Sequence, residues 1–172
     1  LAIGSSAMGA AGVAGGEYNV AIGNYSLDAL TSADNCTVVG YNAGTAITTG
    51  SKNTLIGQMA GYDLVDGFQN TCVGVEAGAN ITSGEENTCF GDRAGDVITT
   101  GKKNVVIGPS TDTAANDTDN AIVIGYNFTG SANDFSFGKS GNVVTNDFDA
   151  DADWSRSSDL RLKRNIQDST LG

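Results

Sequence analysis

The sequence predicts an all-β fold, a parallel β-solenoid or β-roll of 17-residue repeats. Three observations support it: glycine returns at a fixed interval, asparagine returns in phase with it, and each unit holds two short apolar segments separated by glycine turns. An apolar segment of only four or five residues cannot bury a face alone. Each unit therefore needs neighbours above and below it, as in a solenoid.

The glycine repeat sets the register of the coils. An apolar pair precedes glycine at Gly23, Gly40, Gly57, Gly74, Gly91, Gly108 and Gly125, always 17 residues apart. A further copy ends at Gly4, which lies 19 residues before Gly23, so the array begins with two extra residues. With coils about 4.8 Å apart, one stack of side chains is expected to contain Ile22, Val39, Ile56, Val73, Phe90, Ile107 and Ile124.

An asparagine column has the same period: Asn19, Asn53, Asn70, Asn87 and Asn104. We expect these residues at a turn, because an asparagine amide tolerates left-handed backbone geometry and can form hydrogen bonds up and down the stack. A glycan-binding or metal-binding ladder is the alternative, and we favour the structural interpretation. A second apolar column, expected in the core, contains Leu30, Ile47, Leu64, Ile81 and Ile98.

The three cysteines are predicted to be buried free thiols. Cys72 and Cys89 occupy one apolar column in consecutive coils, and Cys36 stands in the asparagine column. Side chains stacked in parallel strands are poorly aligned for a disulfide, whose Cβ atoms lie about 3.8 Å apart.

Composition changes divide the chain into three parts. Residues 1–125 form the repeat array, residues 126–153 a hairpin and linker rich in Gly, Asn and Asp, and residues 154–172 a distinct C-terminal module. If the linker is extended, one of its faces carries Asp147, Asp149, Asp151 and Asp153. Such a face could bind calcium, but a solvated acidic linker is favoured. The same holds for the loop that we expect to interrupt the last units, with Asp112, Asp117 and Asp119.

Composition also excludes several function classes. The chain has no His, which rules out a Ser-His-Asp triad, a Cys-His pair and a histidine-bound zinc. Its net charge is −11 and no basic stretch precedes Arg156, so neither nucleic acid nor an anionic membrane surface is an expected partner. No apolar run approaches the roughly 18 residues of a membrane span, and the N-terminus lacks the charged start of a signal peptide. No cofactor or metal is expected, and the missing initiator Met favours a fragment.

The last residues carry the clearest functional motif. The run from Ser158 to Ile166 reads SDLRLKRNI, in a stretch where basic residues concentrate. It resembles the opening of the intramolecular chaperone auto-processing domain at the C-termini of phage endosialidase tailspikes and long tail fibres. A related domain occurs in the myelin regulatory factors. In that family the domain helps three chains to assemble and then releases itself by cutting the backbone just before the motif serine.

The resemblance implies a Ser-Lys dyad of Ser158 and Lys163, with the scissile bond between Ser157 and Ser158. Lysine acts as a general base only when neutral, so its pKa must fall through burial or nearby positive charge, which Arg161 and Arg164 could supply. The family's domain continues far beyond the length available here. We therefore expect the chain to hold only its beginning.

The expected function is a structural and host-receptor-binding segment of a phage tail fibre or tailspike, located extracellularly on the virion. The expected partners are two further copies, forming a homotrimer, and a host receptor or glycan. The repeats also resemble, more loosely, the β-rolls of trimeric autotransporter adhesin heads. An adhesin head is therefore the alternative, but it predicts a membrane β-barrel anchor where this chain has SDLRLKRNI. A polysaccharide-degrading spike is disfavoured, because acids such as Asp63, Glu76 and Asp92 fall in different columns.

Overall fold

A computed structural model describes residues 1–9 and 16–149. This part of the chain is all β, with no helix. Its twelve strands are β1 (Ala2–Ile3), β2 (Val20–Ile22), β3 (Thr37–Val39), β4 (Thr54–Ile56), β5 (Thr71–Val73), β6 (Thr88–Phe90), β7 (Val105–Ile107), β8 (Asp112–Thr113), β9 (Ile122–Tyr126), β10 (Thr129–Gly130), β11 (Asp134–Lys139) and β12 (Asn142–Asp147). Ten strands form one sheet, in the order β1 to β7, then β9, β11 and β12, while β8 and β10 form a small second sheet.

The main sheet is the wall of a parallel solenoid of about eight turns, as the sequence predicts. Each coil contributes one short strand, and neighbouring strands pair residues that are 17 positions apart. The predicted stack from Ile22 to Ile124 is confirmed at every step. The first pairing joins Ile3 to Ile22, so the first coil has 19 residues instead of 17. The last parallel step is shorter, because Ile122 pairs with Phe135.

The repeating glycine follows each strand at a place where a side chain cannot fit. Gly74 has a φ of +141°, which L-residues rarely adopt. A Cβ atom built on it would collide with the backbone carbonyl of Gly91 in the next coil. The absence of a side chain thus allows the coils to approach to strand-pairing distance at this corner.

The core is a narrow channel lined by small and branched side chains. One wall is the middle residue of each strand, which we call the inner column: Ala21, Val38, Leu55, Cys72, Cys89, Val106 and Val123, all fully buried. The opposite wall is the second apolar column, from Leu30 to Ile98, and it is fully buried as predicted. Turn alanines such as Ala60 and Ala77 fill the remaining space.

The asparagine column is a buried hydrogen-bonded ladder, which confirms its structural interpretation. The side-chain oxygen of Asn70 accepts from the backbone N–H of Asn87 at 3.0 Å and from its side-chain amide at 3.1 Å. The same amide of Asn87 donates to the carbonyl of Gly101 at 2.8 Å. From Asn53 to Asn104, each asparagine side chain therefore satisfies polar groups in its own coil and in both neighbouring coils.

The expected left-handed backbone at these asparagines is wrong. Positive φ falls on the residue before each of them, for example 58° at Glu86 and 59° at Lys103. The physical reason is the direction of the asparagine side chain, which must point into the core to join the ladder. The preceding residue therefore makes the turn, and its N–H bonds the coil below, as from Glu86 to the carbonyl of Phe68 at 3.0 Å.

The last coils stay in register. The loop after Pro109 was expected to interrupt the units, but Val106 still pairs with Val123 across the usual 17 residues. Within that loop β8 pairs with β10 in the next coil, so the backbone remains part of the solenoid. Strand β11 then adds in parallel to β9, and β12 folds back antiparallel to β11. The hairpin covers the edge that the last parallel strand would otherwise expose.

Candidate functional site

The residues assigned to self-cleavage, Ser157, Ser158 and Lys163, lie outside the residues that the structure describes. So do Asp151 and Asp153 of the acidic linker. Within the described ranges, no group of three or more cysteine or acidic side chains is placed so as to hold a metal ion. No helix long and apolar enough to cross a membrane occurs there either.

The most extensive surface feature is an apolar ladder on the outside of the main sheet. Side chains alternate across a strand, so the residue after each inner-column residue points away from the core. We call these residues the outer ladder: Ile3, Ile22, Val39, Ile56, Val73, Phe90, Ile107, Ile124 and Phe137. Ile56 is 39% exposed and Phe90 is 55% exposed.

A second column shares this outer face. From β2 to β11, the residue two positions before each outer-ladder residue lies beside it and is Val, Thr, Ile or Phe, as in Val20, Thr54 and Ile122. We call the two columns together the sheet strip. Nine strands at about 4.8 Å spacing make it about 38 Å long, and three residues make it about 10 Å wide, an area on the order of 400 Å². Exposed apolar patches of this size on a single chain commonly mark an interaction site.

Charge is absent from the sheet strip. In all seven regular coils, the five residues from the asparagine position to the glycine are uncharged, although the chain carries 20 acidic and 9 basic residues. The charged side chains stand on the other sides of the coil, where Arg93 pairs with Glu76 at 3.0 Å and Lys102 pairs with Glu85 at 3.1 Å. The strip is thus a long side on which a second acidic chain could approach without facing like charges.

Two carboxyl groups meet between the last regular coils. Asp112 was expected in a solvated loop, but it is only 5% exposed. It accepts backbone hydrogen bonds from Val97 at 2.9 Å and Thr113 at 2.8 Å. Burial, and then the hydrogen bond with the carboxyl of Asp96, raise the pKa of Asp112 to about 7. The Asp112 carboxyl therefore keeps its proton up to near neutral pH.

The three cysteines are free and buried, as predicted. Cys72 and Cys89 stack in the inner column. The contact with the Cys72 thiol and then burial raise the pKa of Cys89 well above its usual value. The Cys89 thiol therefore stays protonated, and full burial shields both thiols from oxidants and metal ions, so we assign them a packing role.

Sequence reasoning missed two of these features. It identified the stack from Ile22 to Ile124 but not its outward direction. A signal was present, because the neighbouring column contains Ala21, Cys72 and Cys89, and small residues fit a narrow interior. The contact between Asp96 and Asp112 had no such signal, since it depends on the path of the turn between two coils.

Comparison with protein-family models gives no match for this chain, and comparisons with curated proteins and with solved structures give none either. The functional argument therefore depends on the residues themselves.

Proposed function

We propose that this chain is a structural, receptor-binding segment of a phage tail fibre or tailspike. It assembles as a homotrimer on the virion, and a C-terminal chaperone domain guides assembly and then cuts itself off. The observation that carries the proposal is the run SDLRLKRNI from Ser158, in a chain whose upstream part is a regular solenoid. The host receptor or glycan that the fibre contacts is part of the same proposal.

The regularity of the solenoid supports a need for such a chaperone. Sliding one chain past another by 17 residues preserves nearly every contact between their coils. Misregistered trimers are then close in energy to the correct one, and stacking alone cannot choose between them. A non-repetitive domain that trimerises first sets the register. Its removal leaves a shaft that does not easily dissociate, which is kinetic stability.

The cleavage chemistry requires one nucleophile and one base. The hydroxyl of Ser158 attacks the carbonyl carbon of Ser157 while the neutral amine of Lys163 takes the hydroxyl proton. The peptide C–N bond breaks, the proton passes to the departing amine, and the chain is held as an ester. Water then hydrolyses the ester, so that the upstream product ends at Ser157.

Mass spectrometry of a chain extended through a complete chaperone domain tests the assignment. The unmutated chain should give a fragment that ends at Ser157. Ser158→Ala and Lys163→Ala should remain full-length yet still trimerise, because assembly depends on packing rather than on the cut. Lys163→Arg should be equally inactive, since a guanidinium stays charged at any working pH.

Two outcomes would contradict the proposal. Cleavage that persists in Lys163→Ala would refute the assigned base. Cleavage at another bond would refute the transfer of the motif to this chain.

A trimeric bacterial adhesin head is the second candidate, favoured by the β-roll repeats alone. The C-terminal region of the complete protein separates the two. A membrane β-barrel anchor would support the adhesin, whereas a helical chaperone domain would support the fibre.

A further inference from the structure

The sheet strip has the properties of a contact between chains rather than of a surface in water. Its outer ladder exposes Ile, Val and Phe along the whole length of the solenoid, with Phe90 the most exposed of them at 55%. Leaving such a continuous apolar strip in water is unfavourable, because removal of apolar surface from water is the dominant favourable contribution to most protein association. Ile56, Phe90 and Ile124 stay 37–55% exposed, so the described part of the chain leaves this face open at each of these positions.

We propose that the sheet strip is an interface between copies of this chain, which lie parallel and in register along it. This inference deepens the proposed function and rests on it for the parallel orientation, because a shared C-terminal chaperone holds equivalent ends together. It adds the identity of the surface through which the shafts meet.

Periodicity selects a second copy as the occupant. The outer ladder repeats a side chain at every strand, about 4.8 Å apart, and only a partner with the same spacing can interdigitate at every step. A second copy of this chain has that spacing, because its strands are paired in the same way. A globular partner or a flexible peptide would match a few steps and leave the rest exposed.

Charge points to the same occupant. Two chains with a net charge of −11 repel each other, and association is most favourable where the approaching surfaces are neutral. The strip is uncharged through all seven regular coils, while the acidic residues lie on the remaining sides.

The test compares two equally exposed apolar residues in the same coil, measured in the 172-residue chain by light scattering after gel filtration. Ile56 in the outer ladder and Val65 outside it are each 39% exposed. The unmutated chain and Val65→Lys should be oligomers, and Ile56→Lys should be a folded monomer by circular dichroism. Should Ile56→Lys unfold, Phe90→Thr and Val65→Thr repeat the comparison, because Thr is common in both short strands and coils here.

Disulfide cross-linking then tests orientation. Ile22→Cys and Ile124→Cys place a thiol near opposite ends of the strip, while the three native thiols are fully buried. In a chain extended through a complete chaperone domain, which sets the register, mild oxidation should join Ile22→Cys chains to each other and Ile124→Cys chains to each other. A mixture of the two variants should give no cross-link between unlike variants.

The proposal is overturned if the unmutated chain is a monomer, if Ile56→Lys stays oligomeric, or if only unlike variants cross-link. The last result would mean antiparallel copies and would also contradict a fibre joined at its C-termini. The self-cleavage experiment has a separate readout. Cleavage together with a strip that fails these tests would leave the fibre assignment intact and refute the interface alone.

Discussion

Cys36 interrupts the buried asparagine ladder between Asn19 and Asn53. The backbone N–H of Cys36 still donates to the side-chain oxygen of Asn19 at 2.8 Å, so the ladder is intact below it. Above it, the Sγ atom lies beside the carbonyl of Gly50 at 3.4 Å and faces the backbone N–H of Asn53. A thiol is a weak acceptor and a weak donor. This coil is therefore held less tightly than the coils above it.

Cys36→Asn should stabilise the fold by about 1 kcal/mol, because the new amide supplies the acceptor and donor that the ladder lacks at this position. Thermal unfolding should show a midpoint about 2–4 °C higher than in the unmutated chain. Cys36→Ala is the control, and it should lower the midpoint. An asparagine variant no more stable than the alanine variant would contradict the role given to the ladder.

The Asp96 and Asp112 pair makes stability depend on pH. The pKa of Asp112 is about 7 in the folded chain, against an ordinary 3.8. The folded chain thus keeps a proton that the unfolded chain releases between about pH 4 and pH 7. The contribution of this group to the free energy of unfolding is therefore lost across that interval as the pH rises.

Asp96→Asn should reduce this loss, because an amide can donate to Asp112 and carries no like charge. The gain in thermal midpoint over the unmutated chain should be small at pH 4.5 and should grow up to pH 8. Asp66→Asn, on an exposed turn, is the control and should show no such trend. A gain of equal size at every pH would refute the retained proton on Asp112.

At the scale of the element, the short strands owe their register to the glycine that follows each of them. Gly74 combines a φ of +141° with a Cβ position against the carbonyl of Gly91. Gly141, at the tip of the hairpin, has a φ of +80° and no heavy atom within 4 Å of its Cβ position. The two glycines therefore differ in crowding, while both have positive φ.

Gly74→Ala should lower the free energy of unfolding by more than about 3 kcal/mol. Two penalties contribute, the backbone strain of a positive φ and the collision of the new Cβ atom with the next coil. Gly141→Ala should lower the free energy of unfolding by only about 1 kcal/mol, because the positive φ is the only penalty there. Urea denaturation of both variants measures the difference. Equal losses would mean that backbone strain, and not the closeness of the coils, makes glycine necessary there.

The strands could largely be predicted from the sequence, because the asparagine column, the apolar columns and the glycines all repeat every 17 residues. This shared period fixes which residues pair between neighbouring strands. Period alone does not say which side of a three-residue strand is inside. The inner column and the outer ladder are both apolar, so the usual alternation of polar and apolar residues is missing. The turn before each asparagine was missed for a related reason: Lys52, Gln69 and Glu86 have positive φ, although their residue types do not favour it.

At the scale of the whole molecule, each coil contacts only the coil above and the coil below, apart from the chain ends. Stability is then close to a sum over coils and their interfaces. Deleting residues 70–86 removes one coil and joins Gln69 to Asn87 without changing the phase of any column.

That deletion should leave a folded solenoid. Its free energy of unfolding should be lower by the amount that one coil and one coil–coil interface contribute. Deleting residues 71–86 is the matched control, and it should unfold the array because the following strand would reverse its inner and outer sides. Circular dichroism and urea denaturation of both variants distinguish the two results. Similar behaviour of the two deletions would argue against independent coils.

The constant spacing between the asparagine ladder and the glycine corner also affects how such a gene can change. Recombination between blocks of 17 codons that share these column residues adds or removes whole coils and leaves the cross-section unaltered. The shaft can therefore lengthen or shorten only in steps of about 4.8 Å. Its two ends, with their unequal first and last spacings, keep their shape while the middle varies in length.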